Sequence, residues 1–229
     1  MFVFIHGSGC TGSVFAAQTA AFPGSFAIDL PGHRTPPLPG AISIASYADA
    51  VARELETRGI DGAVLCGSSM GGAIALEVGL RRNPRVGAIV MLGSGSKLRV
   101  APALFESLER DFEAGVRGVV PLFFASPTPA LIDAATAEML EVGQAQTVAD
   151  FCACDAFDAT ERLAELALPL LALTGEQDRL TPPKFAAFLA DRVPGAEARI
   201  LPEAGHLAMV ERPDATNAAL RAFVDRLTR

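Results

Sequence analysis

The stretch Ala63-Val64-Leu65-Cys66-Gly67-Ser68-Ser69-Met70-Gly71-Gly72-Ala73-Ile74-Ala75-Leu76 joins two patterns at one sharp turn. A short apolar run ends at Cys66, as a strand buried on both faces does. A helical pattern opens at Met70. Between them Gly67-Ser68-Ser69-Met70-Gly71 fits G-x-S-x-G. A serine on a strand-to-helix turn is forced into a strained backbone, and small neighbours are needed because no side chain fits beside it. The turn lifts the hydroxyl clear of the sheet edge. It also sets the hydroxyl at a helix N-terminus, where the dipole and free N–H groups favour developing negative charge. The register is fixed, because Ser68 in that role would require glycine at Cys66 and Met70. Ser69 is the candidate nucleophile.

Outward from this turn, other short aliphatic runs repeat the pattern at 2–5, 26–30, 88–92, 168–173 and 198–201. Helix patterns lie between them, at about 13–21, 43–58, 70–82, 181–192 and 213–227. Ser43 stands where an N-cap would, Thr181-Pro182-Pro183 combines a capping residue with first-turn proline, and Pro213 opens the last helix. Glu77 and Arg81, spaced i, i+4, are expected to face solvent together. Strand–helix alternation means a parallel sheet with right-handed crossovers and helices on both faces. The alternation breaks at 96–160, which reads as helices only, near 101–114, 115–124, 129–143 and 145–157. The expected organisation is a sheet core at 1–95 and 161–229 with a helical cap at 96–160.

A serine hydroxyl is a poor nucleophile at neutral pH and needs a base within hydrogen-bond reach. The chain has three histidines. His6 ends the first strand and suits a structural or oxyanion-loop role. His33 lies in the Pro31-Gly32-His33-Arg34 turn, away from any position expected of a base. His206, in Glu203-Ala204-Gly205-His206, follows the last strand on a glycine-led loop and is the candidate base. The orienting acid should follow the preceding strand, where Thr174-Gly175-Glu176-Gln177-Asp178-Arg179 offers Asp178, with Glu176 as fallback. The order Ser69, Asp178, His206 is the one found in α/β-hydrolases. For the oxyanion, the backbone N–H of Met70 and that of Ser8, with Gly9 second, are the expected donors. The loop His6-Gly7-Ser8-Gly9 lacks a following G-K-[ST], so it is not a phosphate-binding P-loop.

Composition narrows the partners. The 229 residues carry a formal net charge of −7, with no Lys or Arg run, and half of them are hydrophobic. Nucleic acid and anionic membrane surfaces are therefore poor partners. No apolar run approaches the ~18 residues of a membrane span. The N-terminus carries no basic segment or cleavage pattern, so a cytoplasmic location is expected. Cys10, Cys66, Cys152 and Cys154 show no paired metal-ligand spacing and read as reduced thiols.

Several motifs coincide: His6-Gly7, Asp29-Leu30-Pro31-Gly32-His33, Gly67-Ser68-Ser69-Met70-Gly71-Gly72, Gly175-Glu176-Gln177-Asp178-Arg179-Leu180-Thr181-Pro182 and Gly205-His206. Together they resemble the α/β-hydrolase superfamily, in particular its small bacterial carboxylesterases and C–C bond hydrolases. The resemblance covers about 1–95 and 161–229. It implies a mostly parallel sheet flanked by helices, with a Ser-His-Asp triad that needs neither cofactor nor metal. Two departures stand out. The family's N-terminal hairpin is missing, which leaves about six strands and puts the 26–30 strand at an exposed edge. A homodimer, or unusual protection there, is expected. The glycine that often follows Asp-Leu-Pro-Gly-His is Arg34 here.

Absent residues prune the relatives. There is no Trp and a single Tyr, Tyr47, outside the cap. Haloalkane dehalogenases and epoxide hydrolases depend on an Asp nucleophile with Trp or cap Tyr, so both fail. What the resemblance then implies is hydrolysis of a small-molecule ester with a small to medium acyl chain. A C–C bond hydrolase, lactonase or thioesterase with the same triad is the alternative, and Arg99, Arg110 or Arg117 would hold a substrate carboxylate. A ligand receptor without turnover is a reading of another class. Gly9, Phe123, Phe124, Leu180 and Leu207 are the expected pocket residues.

Overall fold

The computed structural model describes residues 1–227. Six strands form one sheet: β1 (Phe2–Ile5), β2 (Phe26–Ile28), β3 (Ala63–Ser68), β4 (Val86–Leu92), β5 (Leu170–Gly175) and β6 (Glu197–Leu201). Their order is β2-β1-β3-β4-β5-β6, and every neighbouring pair is parallel. The helices are α1 (Ala16–Ala21), α2 (Ile44–Thr57), α3 (Met70–Leu80), α4 (Pro102–Arg110), α5 (Phe112–Val119), α6 (Pro129–Val142), α7 (Gln144–Asp155), α8 (Pro183–Arg192), α9 (Ala208–Glu211) and α10 (Pro213–Leu227).

The period of two along each strand divides the core between the two faces of the sheet. Val3, Ile5, Leu65, Ile89 and Met91 pack with α2, α3 and α8. Phe2, Phe4, Val64, Cys66, Val90 and Leu92 pack on the other face, with α9, α10 and the helices after β4. Helix α3 is buried at every position from Met70 to Leu80, so it has no polar stripe to set against an apolar one. Burying each of its larger side chains contributes about 1.5–3 kcal/mol relative to exposure. Glu77 is part of that burial, contrary to the expected solvent-facing pair. Its carboxylate takes Arg81 at 2.8 Å on one oxygen and Arg162 at 2.9 Å on the other, which is how a buried charge is tolerated.

Helix boundaries follow their caps. Ser43 and Ser46 form a reciprocal capping box at the start of α2, each side chain receiving the other's N–H. The expected helix at 101–114 ends early, because Asp111 accepts the Ala114 N–H and starts α5. At α8 the N-cap is Pro182, without a side-chain cap bond. Thr181 stands one residue before the cap, and its hydroxyl donates to Asp178.

Between β4 and β5 lie α4 to α7. The ends of this segment are held together by an isolated antiparallel bridge between Lys97 and Asp158, by their ion pair at 2.6 Å, and by the Ala159 N–H to Ser96 carbonyl bond at 2.8 Å. β2 is the edge strand, as expected. It is three residues long, and the Arg58 guanidinium lies 4.3 Å over the Phe26 ring, so the edge is short and shielded. Arg34 occupies the left-handed region at φ 61°, where glycine would sit without strain. Its guanidinium holds Glu141 of α6 by two bonds of 2.9 Å, a contact glycine lacks. Among the described residues no helix is long and apolar enough to cross a membrane.

Candidate active site

Ser69 sits between β3 and α3 at φ 52°, ψ −116°, a conformation that L-residues adopt only when surroundings over-determine it. The surroundings here are two glycines. A Cβ on Gly67 would meet the Gly71 carbonyl oxygen at 2.0 Å, and one on Gly71 would meet the Ile5 carbonyl oxygen at 2.1 Å. The Ser69 N–H bonds the Leu92 carbonyl at 2.9 Å, and its own carbonyl accepts the Ser94 hydroxyl at 2.7 Å. The turn is thus clamped between β1 and the end of β4.

His206 and Asp178 meet beside the same strand end. His206 Nδ1 lies 2.9 Å and 3.1 Å from the two Asp178 oxygens, with both residues buried. A Cβ on Gly93 would stand 3.2 Å from both Asp178 Oδ2 and His206 Nδ1, which places the pair directly against the segment that clamps Ser69. Asp178 also accepts the N–H groups of Leu180 and Thr181 at 2.9 Å and 2.8 Å, and the Thr181 hydroxyl at 2.8 Å. Burial pushes this carboxyl up, but the neighbouring His206 charge and these bonds outweigh it and hold the group below its usual range. The fallback acid, Glu176, is exposed and stands apart from this pair. Ser69 and His206 line one cavity of about 920 Å³. Among the described residues no hydrogen bond joins Ser69 Oγ to His206, and Nε2 is left without a partner.

The loop after β1 runs alongside Ser69: a Cβ on Gly7 would be 3.1 Å from Ser69 Cβ and 3.9 Å from its Oγ. His6 anchors this loop. Its Nδ1–H donates to the Gly7 carbonyl at 2.9 Å, and its Nε2 accepts the Leu30 N–H at 3.0 Å. Burial, then the charge of His33, lower its pKa to about 4, so it stays neutral and structural. The Ser8 hydroxyl touches Met70 Sδ at 3.6 Å and Cys154 Sγ at 3.4 Å. The N–H groups of Ser8 and Met70 have no acceptor among the described residues. Gly9 is corrected on both counts expected of it. Its N–H is taken by Asp150 Oδ2 at 3.1 Å, and its α-carbon faces Met139, away from the cavity.

Asp150, on α7, is the residue the sequence reading missed. It is fully buried and accepts Gly9 N–H, His33 Nε2–H at 2.8 Å, the Tyr47 hydroxyl at 2.6 Å and Gln146 Nε2–H at 3.0 Å. Tyr47 and His33 thus serve this network from outside the helical segment. Phe123, Leu180 and Leu207 line the cavity, as does Leu122. Phe124 does not: it is buried in the core and faces a smaller cavity of about 360 Å³ with Val14 and Leu131. Of the three arginines considered for a carboxylate, Arg99 lines the larger cavity, and Arg110 and Arg117 do not. Among the described residues no cluster of three His, Cys, Asp or Glu is placed to hold a metal ion.

A parallel sheet whose strand ends carry a strained serine turn, a His and Asp pair and free backbone donors defines a hydrolase architecture. The chain belongs to the alpha/beta hydrolase family, whose family model matches residues 2–219. It is 26% identical to a pimeloyl-[acyl-carrier protein] methyl ester esterase of Neisseria meningitidis, over 96% of this chain and 75% of the relative. Among solved structures it is similar to a thermophilic esterase, with 32% identity, a TM-score of 0.90, and coverage of 99% of this chain and 90% of the other. It also matches Est816, described as an N-acyl homoserine lactone degrading enzyme, with 29% identity, a TM-score of 0.87, and coverage of 97% and 92%.

Proposed function

We propose that this hydrolase cleaves carboxylic esters of small to medium acyl chain through an acyl-enzyme on Ser69, with His206 as base and Asp178 as its orienting acid. The observation that carries this is the buried pair of His206 Nδ1 and Asp178, which leaves Nε2 free beside a cavity that Ser69 also lines. Asp178 fixes the tautomer in which Nδ1 carries the proton and Nε2 can accept one. Ser69 Oγ attacks the acyl carbon as Nε2 takes its proton. The N–H groups of Met70 and Ser8 receive the oxyanion, and His206 then protonates the leaving alcohol. In the second half, His206 activates water and the acyl group leaves Ser69. The cavity volume lies within the range that encloses a small organic molecule. The helical segment at 96–160 acts as the cap that closes over it, supplying Leu122, Phe123 and Phe151.

A p-nitrophenyl ester series from acetate to octanoate tests this, run on the wild type and Ser69→Ala. Multiple turnover should peak at a short or medium chain and fall at least about 10⁴-fold in Ser69→Ala. Rapid-quench mass spectrometry should find the acyl group on Ser69. A Ser69→Ala protein that keeps a tenth of the activity, or a single burst without turnover, refutes the mechanism.

A further inference from the structure

The cavity beside Ser69 is charged in one sense only. Lys97, Arg99, Arg179 and Lys184 line it, and no Asp or Glu does. The chain has 26 acidic residues against 19 basic ones, and Lys97 and Lys184 are its only lysines, so the bias does not follow from composition. Two of the four cations are answered by partners. Lys97 pairs with Asp158 at 2.6 Å, and Arg99 lies 3.9 Å from Asp155. Arg179 and Lys184 are exposed, and among the described residues neither makes an ion pair or a hydrogen bond. Lys184 has only a ring contact, 5.9 Å from the Phe185 centroid. Arg179 stands on the segment joining β5 to α8, which also carries Asp178 and Thr181, and Lys184 stands at the start of α8 itself. Nothing local calls for them. Lys184 lies in the first turn of α8, where the helix dipole disfavours a cation.

We propose that Arg179 and Lys184 form a subsite for an anion carried by the substrate away from its ester bond, a carboxylate or phosphate. This rests on the ester-hydrolase reading and sharpens it: the preferred substrate is an anionic ester, with its apolar chain in the cavity and its charged end at this pair. A guanidinium and an ammonium that line one cavity suit a planar or tetrahedral oxyanion, which each can hold by a charge-assisted hydrogen bond.

The test uses three methyl esters of one chain length: methyl hexanoate, monomethyl adipate and methyl 6-phosphonohexanoate. Each is assayed with the wild type, Arg179→Gln, Lys184→Gln and the double variant. The readout is the ratio of kcat/KM for each anionic ester to that for hexanoate. The wild type should favour at least one anionic ester. In the double variant that ratio should fall about tenfold or more, chiefly through KM. It should also shrink in the wild type as salt is raised. Which anionic ester leads identifies the group that is read. A wild type that prefers hexanoate, or a ratio unchanged in the double variant, overturns the subsite while leaving the hydrolase reading intact. Failure of all three esters, together with no labelling of Ser69 by a fluorophosphonate, overturns the hydrolase reading and the subsite with it.

Discussion

Replacing Asp150 by alanine removes the acceptor on which four hydrogen bonds converge. Gln146 retains a bond to the Tyr47 hydroxyl at 2.7 Å, so it is only partly orphaned. Gly9 N–H, His33 Nε2–H and the Tyr47 hydroxyl proton lose their acceptor in a site closed to water. An unsatisfied buried donor costs about 1–3 kcal/mol, and three sharing one site do not add in full. A loss of about 4 kcal/mol is therefore expected for Asp150→Ala. About half of that is expected for Asp150→Asn, which keeps one acceptor oxygen and turns an amide toward donors. For a chain of this length the first figure corresponds to a fall in Tm of about 8–16 °C. Urea unfolding followed by circular dichroism measures it, with an unchanged m-value as the check on two-state behaviour. Gly9 follows Ser8, so at a temperature where the variant is still folded kcat should drop about 10–100-fold as the loop that carries Ser8, the proposed oxyanion donor, loosens. An Asp150→Ala protein within 1 kcal/mol of wild type, with normal kcat, would refute the reasoning.

Gly71→Ala should yield an insoluble protein or one destabilised by more than about 4 kcal/mol, seen in expression and thermal melts. Its Cβ would overlap the backbone of β1, which cannot move aside. Thr181→Val should lower kcat while Thr181→Ser keeps most of it, because the valine side chain loses the hydroxyl that reaches both Asp178 and His206, at 2.8 Å and 3.2 Å, and keeps only the backbone N–H bond to Asp178; steady-state kinetics with one ester decides. Acid should destabilise the chain through His6. Its folded pKa of about 4 lies below the ordinary 6.5, so the unfolded chain takes the proton first as pH falls. Stability is then full above about pH 6.5 and declines by about 3 kcal/mol on the way to pH 4. Asp178, whose carboxyl is held low, adds its own loss only below its ordinary value of 3.8. Urea unfolding at pH 7 and pH 4.5 should show the His6 decline in wild type and a smaller one in His6→Gln.

The sheet was legible because each strand announces itself by an apolar run closed by Gly or Pro, and both buried faces repeat the signal. The serine turn was legible because its sterics permit so few residues. Other features left no local trace. Asp150 draws partners from positions 9, 33, 47 and 146, and no spacing in the sequence links them. Thr181 carried a signal that pointed elsewhere, since a threonine before two prolines looks like a helix cap. Glu77 looked like a surface residue because its second partner, Arg162, lies 85 positions away. Gly9 failed as a pocket residue for a geometric reason: the loop turns there at φ 65° toward α6.

The loop that carries His206 leans on the segment between α5 and α6. The Leu207 N–H bonds the Phe123 carbonyl at 2.9 Å, and a Cβ on Gly205 would stand 2.5 Å from the Ala125 nitrogen. The backbone that carries the imidazole is therefore seated on residues 123–125. A chimera that exchanges the helical segment between β4 and β5 for a foreign one would also shift the His206 ring, unless the 123–125 backbone were kept.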